Sequence, residues 1–108
     1  MSCAAYPQAH CYVAGPMSGL PGLNFDAFHL AAKSLRAQGW TVVNPAEINP
    51  DLNADWAGCM IEDIKELSKC DAIYLLAGWT NSYGAQIEHL VAKKLGLTIY
   101  FEEDPCAF

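Results

Sequence analysis

The chain has 108 residues, 53% of them hydrophobic and 17% charged, with a formal net charge of −6. That length holds one hydrophobic core rather than two, so residues 1–108 are expected to form a single domain, and the composition excludes a disordered or fibrous chain. The acidic surplus argues against a nucleic-acid polymer or an anionic membrane as partner, since both are bound mainly through Lys and Arg, while a small phosphorylated ligand needs only local donors.

Along the chain, segments alternate as βαβαβαβ. Cys11-Tyr12-Val13-Ala14 reads as a short apolar strand stopped by Gly15-Pro16. A glycine-rich loop follows over residues 15–22, and Asn24 is expected to cap a helix over 25–38 that ends at Gly39. On a 100° wheel Ala27, Phe28, Ala31, Ala32 and Leu35 group together, opposite Asp26, His29, Lys33 and Arg36, so that helix is amphipathic. Residues 40–43 form a second strand, and residues 44–54 a long polar loop with Pro45 and Pro50, long enough to be a candidate functional loop. A second helix is expected over 55–69, capped by Asn53 or Asp55. Residues 71–77 are a continuous apolar run of the kind buried on both faces of a parallel sheet. A third helix over 84–95 and a fourth strand over 97–101 complete the pattern, and residues 102–108 receive no assignment.

Parallel strands joined by right-handed helical crossovers make an open three-layer α/β sheet, Rossmann- or flavodoxin-like, with about four strands and three helices. Ligands in such folds bind beyond the carboxyl ends of the strands. Here those ends are residues 15–22, 44–54 and 78–84, where the unusual glycines and polar residues gather.

Glu88 is the most informative anomaly. The wheel over 84–95 groups Ile87, Val91, Ala92 and Leu95 as the stripe expected to be buried, and Glu88 falls inside it. A carboxylate there is costly unless paired or used, although it also lies near the helix N-terminus, where the dipole favours negative charge. In the second helix Trp56, Met60, Ile64 and Leu67 form the stripe, and Asp63 lies at its edge, as a hydrogen-bonding partner or a second active carboxylate. Two carboxyls in different environments are what nucleophile-plus-acid chemistry at a glycosidic carbon requires. Ser82 and Gly84 precede a helix N-terminus and can seat a phosphate, or Ser82 can serve as an ordinary cap. The loop glycines Gly15, Gly19 and Gly22 with Ser18 fit neither GxGxxG nor the P-loop. Tyr12, Trp56 and Trp79 can stack on a base, though aromatics in strands and stripes are more often core residues.

The five cysteines (Cys3, Cys11, Cys59, Cys70 and Cys106) are odd in number and lack a CxxC pair, so they read as apolar filler rather than a disulfide scaffold or zinc cluster. His10, His29 and His89 share no ligand spacing, and no metal site is expected. With no charged-then-apolar leader and no long apolar run, a cytoplasmic location away from membranes is the expectation.

The stretches Tyr12-Val-Ala-Gly-Pro-Met-Ser-Gly19, Asn24-Phe25…Phe28, Gly39-Trp-Thr-Val-Val-Asn-Pro-Ala-Glu47, Asp63, Asp71-Ala72 and Gly78-Trp79…Ser82-Tyr-Gly84-Ala85…Glu88 resemble the nucleoside 2-deoxyribosyltransferase superfamily, and within it the small bacterial and phage proteins. The resemblance covers nearly all of residues 12–101. It implies that Glu88 is the nucleophile that opens an N-glycosidic bond and that Asp63 protonates the departing base. It further implies that Tyr12 orients Glu88, that Gly15, Pro16, Met17, Ser18, Gly19 and Asn24 line the base or sugar pocket, and that Trp79, Ser82 and Gly84 contact substrate. Ser82 stands where transferases of free nucleosides usually carry an Asp; a serine there is similar to the 2′-deoxynucleoside 5′-phosphate N-hydrolases. Tyr83 stands where close relatives often have Arg. The expected ligand is therefore a nucleoside or its 5′-monophosphate, cleaved or transferred without a cofactor by a homo-oligomer whose subunits complete one another's sites, the 102–108 tail being one candidate. The alternative is a nucleotide-binding or sensing module that keeps the pocket without turnover.

Overall fold

The computed structural model describes residues 9–51 and 55–103. Four strands, β1 (His10–Ala14), β2 (Thr41–Val43), β3 (Ala72–Leu75) and β4 (Thr98–Phe101), form one parallel sheet in the order β2-β1-β3-β4. Tyr12 of β1 pairs with Val43 on one side and Ile73 on the other, which fixes the register at the sheet centre. Four helices accompany it: α1 (Phe25–Ala37), α2 (Pro45–Ile48), α3 (Trp56–Leu67) and α4 (Tyr83–Leu95). Among the described residues no helix is long and apolar enough to cross a membrane.

Strand alternation divides the core. Cys11 and Val13 point toward α1 and pack with Phe28, Ala32 and Leu35, while Tyr12 and Ala14 point to the opposite layer with Leu67 and Ala92. The α1 stripe agrees with its wheel, because the buried residues are Phe28, Ala31, Ala32 and Leu35.

The chain departs from its sequence pattern at two of its connections. The 44–54 segment is not loop throughout: Asn44 Oδ1 accepts from Ala46 N at 3.0 Å, Pro45 occupies the first helical position, and α2 forms as a single turn. Asn24 does not cap α1. Gly22, Leu23 and Asn24 all have positive φ, and Asn24 Nδ2 instead donates to the Pro16 carbonyl oxygen at 3.0 Å, bracing the glycine-rich loop. Asp55 caps α3 through Gly58 N at 2.8 Å; the alternative cap Asn53 lies outside the described residues, as do Cys3, Cys106 and residues 104–108 of the tail.

The stripes of α3 and α4 are rotated from those expected. In α4 the buried residues are Ala85, Glu88 and Ala92, while Ile87 and Leu95 are exposed; in α3 they are Asp63 and Leu67, while Trp56 and Ile61 are exposed. Apolar side chains flank the inward face of each helix on the solvent side, so a wheel centred on hydrophobicity points between core and surface. Asp63 is consequently further inside than its place at the edge of the stripe indicates, while Glu88 is buried as its wheel placed it.

Candidate active site

Gly15 ends β1 by close approach. A Cβ there would lie 2.7 Å from Leu76 Cβ, so only glycine lets the first loop leave the sheet against β3. Gly84 plays the matching part in the next layer, since a Cβ at that position would meet Met60 Sδ at 3.2 Å. The first turn of α4 can therefore sit against α3, and Glu88, one turn further on, faces the same hollow as Asp63.

That hollow, of about 70 Å³, opens at the carboxyl edge of the sheet and is lined by Glu88, Asp63, Gly15, Met17, Ser82 and Gly84, with Trp56 and Cys59 at its outer wall. Glu88 is 5% exposed and Asp63 7%. Tyr12, fully buried at the sheet centre, donates its phenol hydrogen to Glu88 Oε2. Burial and the facing carboxyls hold the Tyr12 hydroxyl well above its ordinary titration range, so it remains a donor.

Burial dominates the titration of both carboxyls. Glu88 is pushed up to about 8, desolvation outweighing the Tyr12 hydrogen bond that favours its charge, with Asp63 raising it further. Asp63 is pushed up to about 7 by burial and then by Glu62. Both carboxyls are thus held well above the ordinary carboxylate range, toward neutral pH. Carboxyls poised this way in a cleft are the arrangement acid–base and nucleophilic catalysis uses.

Two further hollows share Ser18 and Trp56 as walls with the first. One, of about 160 Å³, lies over the start of α4 and is lined by Pro16, Asn81, Ser82, Tyr83 and Gly84. Ser82 Oγ accepts from Ala85 N at 3.2 Å, which is the capping role, and its hydroxyl hydrogen remains to be donated. The other, of about 150 Å³, runs beneath α2 and includes Met17, Phe25, Pro45, Asn49, Cys59 and Asp63.

The structure thus brings together Glu88, Asp63, Tyr12, Gly15, Pro16, Met17, Ser18, Ser82 and Gly84. It does not bring Trp79 to any of these walls: the indole packs on His89 at 4.7 Å and on Phe101 at 5.9 Å, bracing α4 on β4. Gly19 is exposed and Asn24 braces the loop through Pro16, and neither lines any of these three hollows. Sequence reasoning missed Asn49, Cys59 and Met60 and set Trp56 aside as core. The only signal for Asn49 was the length of the 44–54 segment, which marks a region and not a side chain.

The model of the family described as a domain of unknown function (DUF4406) matches residues 9–101. Among curated proteins none matches the chain. Among solved structures, the chain is similar to a 2-desoxiribosyltransferase from Leishmania mexicana, with a TM-score of 0.67 and 18% sequence identity. The match covers 86% of this chain and 63% of that one, so the chain spans less than two thirds of its neighbour's length. The likeness is one of fold.

Proposed function

The chain belongs to the DUF4406 family, and we propose that it cleaves or transfers at the N-glycosidic bond of a 2′-deoxynucleoside or its 5′-monophosphate. The observation that carries this reading is the pairing of buried Glu88 and Asp63 across one hollow at the carboxyl edge of the sheet, with Tyr12 held on Glu88. Similarity in fold to a 2-desoxiribosyltransferase supports it.

In the reaction, ionised Glu88 attacks C1′, the C1′–N bond breaks, and its electron pair passes into the base as Asp63 delivers a proton there. A water molecule or a second base then takes the sugar from Glu88 with net retention, and Asp63 recovers a proton from the incoming group. The reacting form is the one with Glu88 charged and Asp63 neutral; burial raises both carboxyls, which favours the proton on Asp63 and opposes the charge on Glu88. The Tyr12 hydroxyl supports that charge by donating to the carboxylate. A 5′-phosphate would be received by Ser82 and the free N–H groups at the start of α4, where an Asp would repel it.

A second reading rests on the same hollow, a pocket that binds a nucleotide without turning it over. Exposed apolar residues on α3 and α4 (Trp56, Ile61, Ile87 and Leu90) support self-association of the chain. Incubation with a panel of deoxynucleosides and their monophosphates, with free base measured by chromatography, separates the readings. Base release that Glu88→Ala lowers at least a thousandfold is the expected result; tight binding with no release identifies the sensor, and a panel with neither sinks the site.

A further inference from the structure

Two buried side-chain polar atoms among the described residues have no hydrogen-bond partner, Asn49 Nδ2 and Asp63 Oδ1. Both residues line the same hollow of about 150 Å³. Orphaned buried polar atoms are rare in folded proteins, and two in one cavity point to a ligand that supplies their partners. The other walls state the shape of that ligand. Met17, Leu23, Phe25, Pro45 and Trp56 present apolar and aromatic surface suited to a flat ring. Asp63 lines both this hollow and the one that holds Glu88, so a ring seated here lies beside the hollow of that carboxylate.

The hydrogen-bonding edge of the ring follows from the donors. The Asn49 amide nitrogen can only donate, and Asp63, which must protonate the base in the reading above, donates as well. On the edge that carries N7, guanine and hypoxanthine offer two neighbouring acceptors, O6 and N7, and adenine replaces the first with an amino donor; on the corresponding edge cytosine presents an amino donor and thymine one acceptor beside carbon.

We propose that Asn49 is a specificity-determining residue that binds O6 of a 6-oxopurine, while the Asp63 carboxyl serves N7 and the ring lies among Met17, Phe25 and Trp56. The proposal rests on the glycosidic reading of the site. As the C1′–N9 bond breaks, its electron pair enters the purine ring, the Asp63 proton moves to N7, and the base leaves neutral. Adenine in the same seat would set its amino group against the Asn49 amide, donor against donor.

Titration of the unaltered protein with free hypoxanthine and free adenine by calorimetry tests this apart from turnover. Hypoxanthine should bind at least about tenfold more tightly. Asn49→Ala should remove that difference by weakening hypoxanthine alone, and Asn49→Asp, which exchanges a donor for an acceptor, should shift preference toward adenine. Adenine binding as tightly as hypoxanthine, no binding of either, or equal losses for both bases in Asn49→Ala would each overturn it. Release of base from deoxyinosine and deoxyadenosine is followed in parallel. Cleavage that favours deoxyadenosine defeats the Asn49 assignment and leaves the glycosidic reading intact. Asn49-dependent hypoxanthine binding without cleavage of any nucleoside does the reverse.

Discussion

Glu88 is a side chain that folding penalises. Its ordinary titration value is 4.5, and in the folded chain burial pushes it up to about 8. As pH rises from about 4.5 to 8 the unfolded chain releases this proton while the folded chain keeps it, so stability falls across that window and the loss is complete above about 8. Asp63 adds a loss of the same sign between its ordinary 3.8 and about 7. Glu88→Gln keeps the shape and the acceptor for Tyr12 but removes the ionisation. The variant is expected to match the parent near pH 4 and to exceed it by on the order of 2–4 kcal/mol at pH 8.5, measured by urea unfolding at a series of pH values. A variant no more stable than the parent at pH 8.5 would mean that Glu88 is solvated or paired in solution. At this scale the sequence was informative about the carboxylates, because a charge inside an apolar pattern is visible without coordinates. It was silent about Asn49: a polar residue in a polar segment breaks no pattern, and its importance comes only from the burial of one nitrogen.

The elements were legible wherever one face of each is plainly apolar. The four strands and α1 agree with their patterns because β1 and β3 lie inside the sheet and α1 has a single apolar stripe. The stripes of α3 and α4 were misplaced because Trp56, Ile87 and Leu95 are apolar yet face outward, which a wheel cannot distinguish from core. The single turn α2 escaped notice for a different reason: four residues are too few for periodicity, and only Asn44-Pro45 announces it. The junction of β1 with the first loop is the element-scale feature that most directly sets the site, since Gly15 lies against Leu76 on one side and lines the Glu88 hollow on the other. Gly15→Ala places a methyl 2.7 Å from Leu76 Cβ, inside any tolerable contact. The expected cost is about 1–3 kcal/mol, read as a lower urea midpoint with unchanged slope. An unperturbed midpoint would show that the loop has room to move away from β3.

For the whole molecule, the distribution of apolar surface matters more than the net charge. Helices α3 and α4 share an outward face on which Trp56, Ala57, Met60, Ile61, Ile64 and Ile87, with Lys65 beside them, surround a shallow hollow of about 480 Å³. Ile61 is 59% exposed and Leu90, nearby on α4, 54%. A chain with 12 acidic and 6 basic residues and a net charge of −6 has every opportunity to place charge there, and among the residues that line it only Lys65 is charged. Lone exposed hydrophobes carry no meaning, whereas a contiguous patch on two adjacent helices is the usual signature of a partner surface. Trp56 and Met60 belong both to this face and to the Glu88 hollow, so whatever covers the face also closes one side of the site. If a second copy covers it, a charge at its centre should separate the copies. Ile61→Glu is expected to halve the particle mass measured by sedimentation equilibrium at micromolar concentration, with the fold retained by circular dichroism. The substitution adds an exposed charge to a residue outside the core, so its cost to the monomer should stay within about 0.5 kcal/mol. Because Trp56 would lose its cover, base binding should weaken in the same variant even though Glu88, Asp63 and Tyr12 are untouched. A variant with the parent's mass and the parent's affinity would mean that the apolar face serves neither assembly nor the site.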